Sequence, residues 1–357
     1  MRDSVLRRRL ANQRIEGPGH RRPADVVSWF GAVQAQEYEA AKWGLGLRMS
    51  DGVGESDVER ALDEGRILRT HVLRPTWHFV TPADIRWMLA LTGSRVQKRL
   101  AVYWRQMSLD RPTLTRGTSV IERALGDRGC LTRGDLADAL RRAKLPLVTH
   151  RLAHLALYAE TEGVICSGPR RGKQSTYALL TSRAPRAPRL DRDEALGLLV
   201  RRFFQSHGPA TIRDFVWWSG LTTPDATRGL DIVKASREYQ NGRTYWRVGP
   251  ARPTTRERLA HLLPIYDEYL VAYKDREAIP HSASKITSAY GRPVNFQHAV
   301  IVDGRVVGTW RVTRSARAIA MRATMLRRLT ARERRAIADA AKRYERFQGI
   351  PVELTID

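Results

Sequence analysis

Length, charge and cysteine content limit the kind of protein that this chain can be. It has 357 residues, with 62 Lys and Arg against 37 Asp and Glu, so its formal net charge is +25. No run reaches the roughly 18 apolar residues of a membrane span, the charged amino terminus lacks a signal-peptide core, and two cysteines form no disulfide framework. We therefore expect a cytoplasmic protein with a polyanionic partner, nucleic acid ahead of anionic membrane.

The first strongly patterned segment opens at Pro23, a residue favoured in the first turn of a helix. Its expected buried stripe consists of Val26, Val27, Phe30 and Val33. Two glutamines follow, Gln34 and Gln36, and in a regular helix they would point about 200° apart. They can face one pocket only if the helix ends or distorts between Val33 and about Tyr38. Because glutamine is a poor acid, base or nucleophile, spacing alone favours an ordinary helix surface over a catalytic pair.

A hairpin with two His and two Arg follows, RTHVLRPTWHFV at residues 69–80. Strand alternation places Thr76 and His78 on one face and Trp77 on the other. One face can belong to the core while the face with His78 meets a ligand. A histidine that only hydrogen-bonds inside the core is the competing interpretation. We take Arg74, Thr76 and His78 as candidate DNA contacts.

An imperfect internal repeat links two later segments, GCLTRGDLADAL from Gly129 and GPATIRDFVWWS from Gly208. Gly, Thr and Asp fall at the same offsets in both, at positions 129/208, 132/211 and 135/214. The Thr is placed to cap a helix, and the carboxylate lies in the first turn, where the helix dipole favours it. Each copy then continues through a second helix into a hairpin with a Thr-aromatic step. That step recurs upstream at Thr76-Trp77, although the first copy lacks the Gly-Thr-Asp signature.

Helices followed by a short β-hairpin are the order of the winged helix, a helix-turn-helix with a β-wing. The sequence therefore predicts three tandem winged-helix units, at residues 1–112, 113–185 and 190–250. The first unit carries the Gln-Ala-Gln motif.

Residues 255–357 have a different pattern. Alternating apolar residues flank Asp303-Gly304, which is a strong hairpin signal, and a basic helix stops at Gly349. The apolar stripe of that helix consists of Ile337, Ala341 and Tyr344. The predicted fold class is α+β, mainly helical: three tandem winged-helix units followed by a C-terminal β-rich domain with a covering helix.

A basic stretch, RRGKQS at residues 170–175, lies at the tip of the second predicted hairpin. The charges of Arg170, Arg171 and Lys173 suit phosphate contacts, and a solvated basic turn is the alternative. Lys274 is a further candidate DNA contact. Charge and repeat together predict double-stranded DNA as the partner and no membrane. Repeated units within one chain make a monomer adequate, and no cofactor is expected.

Two other groups of chemistry-bearing side chains have ordinary explanations. His150 and His154 stand four residues apart, the spacing of two metal ligands on one helix face, but no third ligand is evident, so we expect no metal. Asp267 and Glu268 could be acid and base carboxylates. As chain neighbours they point in different directions, and a structural network with nearby charges such as Lys274 is the favoured interpretation.

Three stretches carry a resemblance to a known family: Gln34-Ala35-Gln36, LRPTWHFVTPADI and LLPIYDEYLVAYKDR. With the triple winged-helix organisation, they resemble the AlkZ-type alkyl-DNA glycosylases, bacterial winged-helix enzymes, over nearly the whole chain. Characterised members excise N7-alkylpurines, and some unhook interstrand crosslinks made by azinomycin-type natural products. The resemblance implies that Gln34 and Gln36 are catalytic, in a two-glutamine form that differs from a Gln-apolar-Asp branch, and that the protein acts at the bacterial nucleoid.

The implied substrate explains how such inert side chains can catalyse. Alkylation at N7 makes the purine cationic, so the base is an activated leaving group that needs no general acid. Glutamine oxygens can accept a hydrogen bond from the attacking water and present partial negative charge to an oxocarbenium-like sugar. No lysine adjoins the motif as a Schiff-base nucleophile, and Lys42 is the nearest. The resemblance thus implies a monofunctional glycosylase that leaves an abasic site.

The competing hypothesis is a non-enzymatic multi-winged-helix DNA-binding protein, either a transcription regulator or a nucleoid protein. Its support is the repeat and the charge alone. It predicts that replacing Gln34 and Gln36 by Ala leaves the whole activity, DNA binding, intact.

Overall fold

Three successive segments of the chain repeat one order of elements: a helix, a short strand or bridge, two helices and a β-hairpin. The computed structural model describes residues 2–148, 150–240, 242–250, 259–276 and 297–357. In the first segment, which follows helix α1 (Arg2–Asn12), the elements are α2 (Pro23–Phe30), β1 (Ala32–Gln34), α3 (Tyr38–Gly46), α4 (Glu55–Asp63), β2 (Leu68–His71) and β3 (Trp77–Val80).

A long helix, α5 (Ile85–Gln106), connects the first segment to the other two. The elements of the second segment are α6 (Arg111–Arg128), β4 (Cys130–Thr132), α7 (Arg133–Arg142), α8 (Arg151–Thr161), β5 (Ile165–Ser167), β6 (Thr176–Leu179) and the short helix α9 (Leu180–Arg183). Those of the third are α10 (Arg192–Ser206), α11 (Ile212–Ser219), α12 (Thr223–Ile232), β7 (Ser236–Gln240) and β8 (Arg243–Arg247). There a bridge between Ala210 and Trp246 takes the place of the short strand.

This order of elements is the one that a winged helix has. The assignment of three winged-helix units and their boundaries stays a prediction, and the boundary between residues 250 and 255 falls largely on residues that the structure does not describe.

The repeat signature forms two equivalent helix caps. Thr132 Oγ1 accepts a hydrogen bond from the Asp135 backbone N–H at 3.2 Å, and the Asp135 carboxylate accepts one from Thr132 N–H at 2.9 Å. Thr211 and Asp214 make the same reciprocal pair at 3.2 and 2.8 Å. The predicted caps are confirmed, because each Thr satisfies one backbone donor that the start of a helix leaves without a partner.

In the residues that the structure describes, the C-terminal part is a five-stranded sheet with one long helix packed against it. Its elements are β9 (Ala260–Leu263), α13 (Glu268–Val271), β10 (His298–Val302), β11 (Arg305–Arg314), β12 (Ile319–Met325), α14 (Ala331–Gln348) and β13 (Val352–Ile356). The strand order is β13-β12-β11-β10-β9, and only β12 and β13 run parallel. Asp303 and Gly304 take positive φ in the β10–β11 turn, and Gly349 ends α14. The predicted hairpin, helix stop and buried stripe are confirmed.

The small sheet of the first segment, ordered β1-β3-β2, lies between two apolar clusters. On one side Phe30 and Phe79 pack in a cluster with Leu262 of the C-terminal sheet. On the other side Val80 belongs to a cluster with Phe203 of the third segment. The segment that contains the Gln-Ala-Gln motif is therefore held by both of its neighbours.

Two features that would indicate other functions are missing from the described part of the chain. Within it, no helix is both long enough and apolar enough to cross a membrane. The described residues also contain no cluster of three His, Cys, Asp or Glu side chains that could hold a metal ion.

Candidate active site

The glutamine motif lies on a strand and not at the end of a helix. Helix α2 begins at Pro23 as predicted but ends at Phe30, where Gly31 takes a φ of 85° and donates its N–H to Val27 O at 2.8 Å. Val33 was expected on the helix stripe, and this is wrong: it pairs with Phe79 in the β1–β3 ladder. Its burial is satisfied equally well from a strand, because the residue faces the same core as Phe30.

Gln34 is the last residue of β1 and Gln36 follows in the turn before α3, yet both side chains bond to the segment 74–77. The β ladder continues past Gln34, because Ala35 N–H donates to Trp77 O at 2.7 Å. Gln36 Oε1 accepts a hydrogen bond from Trp77 N–H at 3.3 Å. The departure from helical backbone that a shared pocket requires is present, and it begins earlier than Val33. Gln34 is 9% exposed, whereas Gln36 is open to solvent.

Gln34 is fixed from two directions. Its side-chain Oε1 accepts a hydrogen bond from the Arg74 guanidinium at 2.8 Å, which decides which end of the amide faces that residue. Its backbone N–H donates to Glu268 Oε1 at 2.7 Å. Both partners are charged, and such hydrogen bonds hold a side chain and its strand in one orientation more firmly than neutral ones do.

A row of polar side chains crosses the small sheet. The register pairs Gln34 with His78 and His78 with Thr70, so all three side chains lie on the same face. His78 Nδ1 lies 2.8 Å from Thr76 O and therefore carries the hydrogen. Within the described part of the chain, His78 Nε2, Thr70 Oγ1 and Thr76 Oγ1 are buried without a hydrogen-bond partner. Unpartnered buried polar atoms cost free energy, and they cluster at functional sites.

Burial also decides the role of His78. Its side chain is fully buried, and burial, with the positive charge of Arg74, lowers the pKa of the imidazole to about 3. A neutral, enclosed histidine does not touch DNA directly, so the predicted DNA contact by His78 is wrong for this structure. Of the two interpretations of this residue, the core histidine fits its position, although its Nε2 remains unpartnered in the described residues.

Glu268 reaches the motif from the C-terminal part of the chain. One carboxylate oxygen accepts from Gln34 N–H, and the other accepts from Trp218 Nε1 at 3.0 Å and His207 Nε2 at 3.2 Å. Burial opposes ionisation of this carboxyl, but the bonds from His207 and Gln34 and the charge of Arg74 lower the pKa of Glu268 to about 2. A buried carboxylate with three donors is thus held in its charged form.

The neighbouring carboxylate, Asp267, serves the fold. It forms a buried bidentate pair with Arg48, with both N–O distances at 2.8 Å. The predicted structural network is present, but its partner is a residue 219 positions away and not the nearby Lys274. The two carboxylates point in different directions, as expected, and only Glu268 contacts the motif.

Arg69 is a residue of the site that the sequence pattern did not single out. Its Nε donates to Ala35 O at 3.0 Å and its second nitrogen to Gln36 O at 3.3 Å, so it fixes the backbone of the motif. The guanidinium lies 4.4 Å from the centroid of the Trp77 ring. Arg69 lies on β2, whose partner strand β3 also pairs with β1. This position in the predicted hairpin was the sequence signal that could have indicated it.

The four predicted basic contacts outside the first hairpin differ in their exposure and in their partners. Arg170 is tied by a 2.8 Å ion pair to Glu59, so its charge is largely committed within the protein. Arg171 is exposed and lies 3.3 Å from the Asp135 carboxylate, while Lys173 is exposed at the tip of the β5–β6 loop. Lys274 is exposed, with its ammonium 4.6 Å from the centroid of the Trp217 ring.

The predicted contacts in the first hairpin are more enclosed than those at the tip of the second. Arg74 and Thr76 are partly buried. Both lie beside the glutamines, since Arg74 bonds Gln34 and Thr76 precedes Trp77, whose N–H donates to Gln36 Oε1. The structure therefore brings Gln34, Gln36, Arg74, Thr76 and His78 together. It leaves Arg170, Arg171, Lys173 and Lys274 outside this group.

The two histidines with metal-ligand spacing do not form a metal site in the described residues. His150 precedes α8, and His154 Nδ1 accepts a hydrogen bond from Trp104 Nε1 at 3.1 Å. A helix surface or a DNA-facing pair was the favoured interpretation, and the structure adds a contact that it did not include, because this bond fixes His154 against α5.

Comparison with known proteins decides the family. The family model of the AlkZ-like DNA glycosylases matches residues 27–347, which includes the motif and most of the C-terminal part. The chain belongs to the AlkZ-like DNA glycosylase family. Proteins of this family are hydrolytic enzymes that act on the N-glycosidic bond, and this chain is such an enzyme.

Two findings from one organism agree with the family model. An interstrand DNA cross-link repair glycosylase from Streptomyces sahachiroi is 25% identical over 342 residues, covering 85% of this chain and 86% of that protein. The solved structure of the S. sahachiroi DNA glycosylase AlkZ superimposes with a TM-score of 0.81 at 22% identity, covering 99% of both chains. The AlkZ-like members thus share a mixed fold of helices and sheets with this chain.

Proposed function

We propose that this glycosylase hydrolyses the N-glycosidic bond of cationic N7-alkylpurines in double-stranded DNA, and that Gln34 and Gln36 are its catalytic residues. The observation that carries the proposal is that both side-chain amide oxygens accept hydrogen bonds from one short segment, residues 74–77. The motif combines a fixed, nearly buried amide with an exposed one, so it can meet a substrate without leaving the sheet.

The chemistry asks little of acids and bases. The electron pair of the glycosidic bond leaves with the purine, which N7 alkylation has made positively charged, and the departing base is neutral. A water molecule attacks C1′, the amide oxygens accept its hydrogen bond and face the oxocarbenium-like sugar, and the proton that the water loses passes to solvent beside the exposed Gln36. An undamaged purine is a far poorer leaving group, so neutral amides discriminate in favour of the lesion.

The nearest amine supports a monofunctional enzyme. Lys42 is 1% exposed, and its ammonium lies 2.7, 3.0 and 2.7 Å from the carboxylates of Glu39, Glu55 and Glu59. Burial would lower the pKa of Lys42, but the bonds to Glu39 and Glu59 raise it above its ordinary value. A permanently protonated amine has no lone pair for a Schiff base, so we propose hydrolysis that leaves an abasic site.

The proposed partner is double-stranded DNA carrying alkylated purines or interstrand crosslinks. The S. sahachiroi relative is an interstrand DNA cross-link repair glycosylase, which supports the inclusion of crosslinks. The exposed charges of Arg171 and Lys173 in the second proposed unit, and of Lys274 in the C-terminal part, are the proposed phosphate contacts of a monomer at the bacterial nucleoid. An open surface suits a crosslinked base, which cannot be flipped fully into a deep pocket.

The decisive experiment measures base release. Wild-type protein should release 7-methylguanine from methylated DNA, and the double variant Gln34→Ala, Gln36→Ala should lose about a hundredfold or more of the single-turnover rate while it still binds DNA. Thr132→Ala is the control. It removes a helix-capping hydroxyl in the second segment, so its rate of base release should match that of wild type. If wild-type protein released no alkylated base and unhooked no crosslink, the proposed substrate class would be wrong.

A further inference from the structure

The charge around Gln34 presents an electrostatic problem. The Arg74 guanidinium donates to Gln34 Oε1 at 2.8 Å, which places a permanent positive charge directly beside the amide that should stabilise a cationic sugar. Burial lowers the pKa of Arg74, but arginine remains charged at neutral pH. A lone cation in this position would raise the energy of an oxocarbenium-like transition state, because like charges repel strongly where water is excluded.

Glu268 is the compensating charge. Its carboxylate is 1% exposed and is hydrogen-bonded to the backbone of the same residue whose side chain Arg74 holds. Gln34 thus donates a backbone hydrogen bond to an anion, and its side-chain amide accepts one from a cation. The two charges influence each other directly: Glu268 raises the pKa of Arg74, and Arg74 lowers that of Glu268.

The other ionisable groups around this pair do not supply the missing negative charge. Burial lowers the pKa of His207, and its Nε2 donates to Glu268 at 3.2 Å. His78 is held neutral by burial. Asp267 is matched by Arg48, and Arg99 adds a further positive charge on the exposed side.

We propose that Glu268 is a positioning residue of this glycosylase, which holds Gln34 on strand β1 and cancels the charge of Arg74 so that the site remains electrostatically neutral toward a cationic sugar. This inference rests on the proposed function. It gives Arg74 and Glu268 opposite electrostatic effects on one reaction, in addition to their shared effect on the orientation of Gln34.

The first experiment separates charge from shape. Glu268→Gln keeps the size of the side chain and removes its charge, and Glu268→Asp keeps the charge. Single-turnover release of 7-methylguanine should fall about tenfold or more in Glu268→Gln and only a fewfold in Glu268→Asp, with DNA affinity unchanged in both. Asp267→Asn is the matched control: it disturbs an adjacent buried carboxylate that does not contact the motif, so its rate should stay within twofold of wild type.

The second experiment tests the cancellation of charge. Removing Arg74 from the Glu268→Gln protein, by Arg74→Gln, restores neutrality and should raise the rate above that of Glu268→Gln alone. A purely structural role for Glu268 predicts the opposite, because two lost anchors of Gln34 should lower the rate further. The double variant also buries no unpaired charge, so it serves if Glu268→Gln alone proves too unstable to assay.

The outcomes distinguish this inference from the proposed function. Loss of activity in wild-type protein concerns the proposed function alone. If wild-type protein is active while folded Glu268→Gln retains its rate within twofold, or if the double variant is slower than Glu268→Gln, the positioning role is overturned. If Glu268→Gln does not fold, the neutral double variant is compared with Arg74→Gln, Glu268→Asp, which keeps the anion, and a neutral double variant at least as fast as that protein overturns the positioning role.

Discussion

The first and second segments share one local structure, a helix ended by a glycine and followed by a three-residue strand. The last residue of that strand has a different role in each segment. In both, a glycine with positive φ ends a helix, and a three-residue strand follows whose last residue stands three positions after that glycine. These pairs are Gly31 with Gln34 and Gly129 with Thr132. The strand partner is equivalent as well, since Gln34 lies opposite His78 as Thr132 lies opposite Thr176.

The difference lies in where the next helix begins. In the second segment α7 begins at the residue after Thr132, and the Thr132 side chain caps that helix. In the first segment α3 begins only at Tyr38, because the ladder continues through Ala35. The side chain at position 34 is therefore released from the helix terminus. A position that elsewhere stabilises a helix becomes available for chemistry when the strand is prolonged.

The contrast between Gln34 and Thr132 is tested most directly by giving the first segment the residue of the second. Gln34→Thr should lower the single-turnover rate of 7-methylguanine release about a hundredfold, because a hydroxyl on a shorter side chain reaches neither Arg74 nor the substrate. The reciprocal change, Thr132→Gln, should leave the rate unchanged. Comparable rates in Gln34→Thr and wild type would show that the freed side chain has no catalytic role.

His78 lies opposite Gln34, whereas Thr176 lies opposite Thr132. This difference predicts how the stability of the protein depends on pH. The pKa of folded His78 is about 3, against an ordinary 6.5, so the unfolded chain binds a proton between these values and the folded protein does not. Stability from this group is complete above pH 6.5 and is lost as pH falls toward 3, by about 1.4 kcal/mol per pH unit. His78→Thr, which copies Thr176, should flatten this slope in urea unfolding measured from pH 7 to pH 5. An unchanged slope would contradict the assignment.

The capping role of the second segment predicts a loss of stability without loss of catalysis. Thr132→Ala removes one side of the capping box and should lower the free energy of unfolding by about 1 kcal/mol. Thr211→Ala should behave alike, because its pair with Asp214 has the same geometry. Denaturant titration measures the loss, and the rate of base release serves as the internal control. A change in rate beyond twofold would mean that these helix caps also contribute to the site.

The smallest effect is expected at the hairpin tips. The β5–β6 loop carries the exposed Lys173, so Lys173→Ala should weaken DNA binding about twofold to fivefold and reduce the salt dependence by about one phosphate contact. Lys342→Ala removes an equal exposed charge from α14 and is the matched control. Equal effects of the two variants on affinity would indicate that net charge alone drives binding.

Local patterns predicted much of this fold correctly. Thr132 and Thr211 were expected as caps because a hydroxyl beside a first-turn carboxylate satisfies backbone donors whatever surrounds it. The Asp303-Gly304 turn follows from the φ values that these residues tolerate. Val33 was misplaced because an apolar residue three positions after Phe30 suits both a helix stripe and a buried strand. Only pairing with β3 decides between them, and that pairing is a tertiary contact.

The candidate site was predictable in part. Gln34 and Gln36 came from resemblance to a family, while Arg74 and Thr76 came from the composition of one hairpin. The contact between Gln34 and Glu268 joins residues 234 positions apart, and no local pattern carries that information. His78 was open to two interpretations, because strand alternation names the face of a side chain without saying whether that face meets solvent or protein.

The same long-range contact has a consequence for how the enzyme comes into being. A ribosome that has completed the third segment has already made every proposed wing, yet the carboxylate that anchors Gln34 has not been synthesised. The proposed wings are therefore synthesised before the carboxylate that holds the Gln34 backbone, so the proposed site cannot reach its final geometry until Glu268 has been added to the chain.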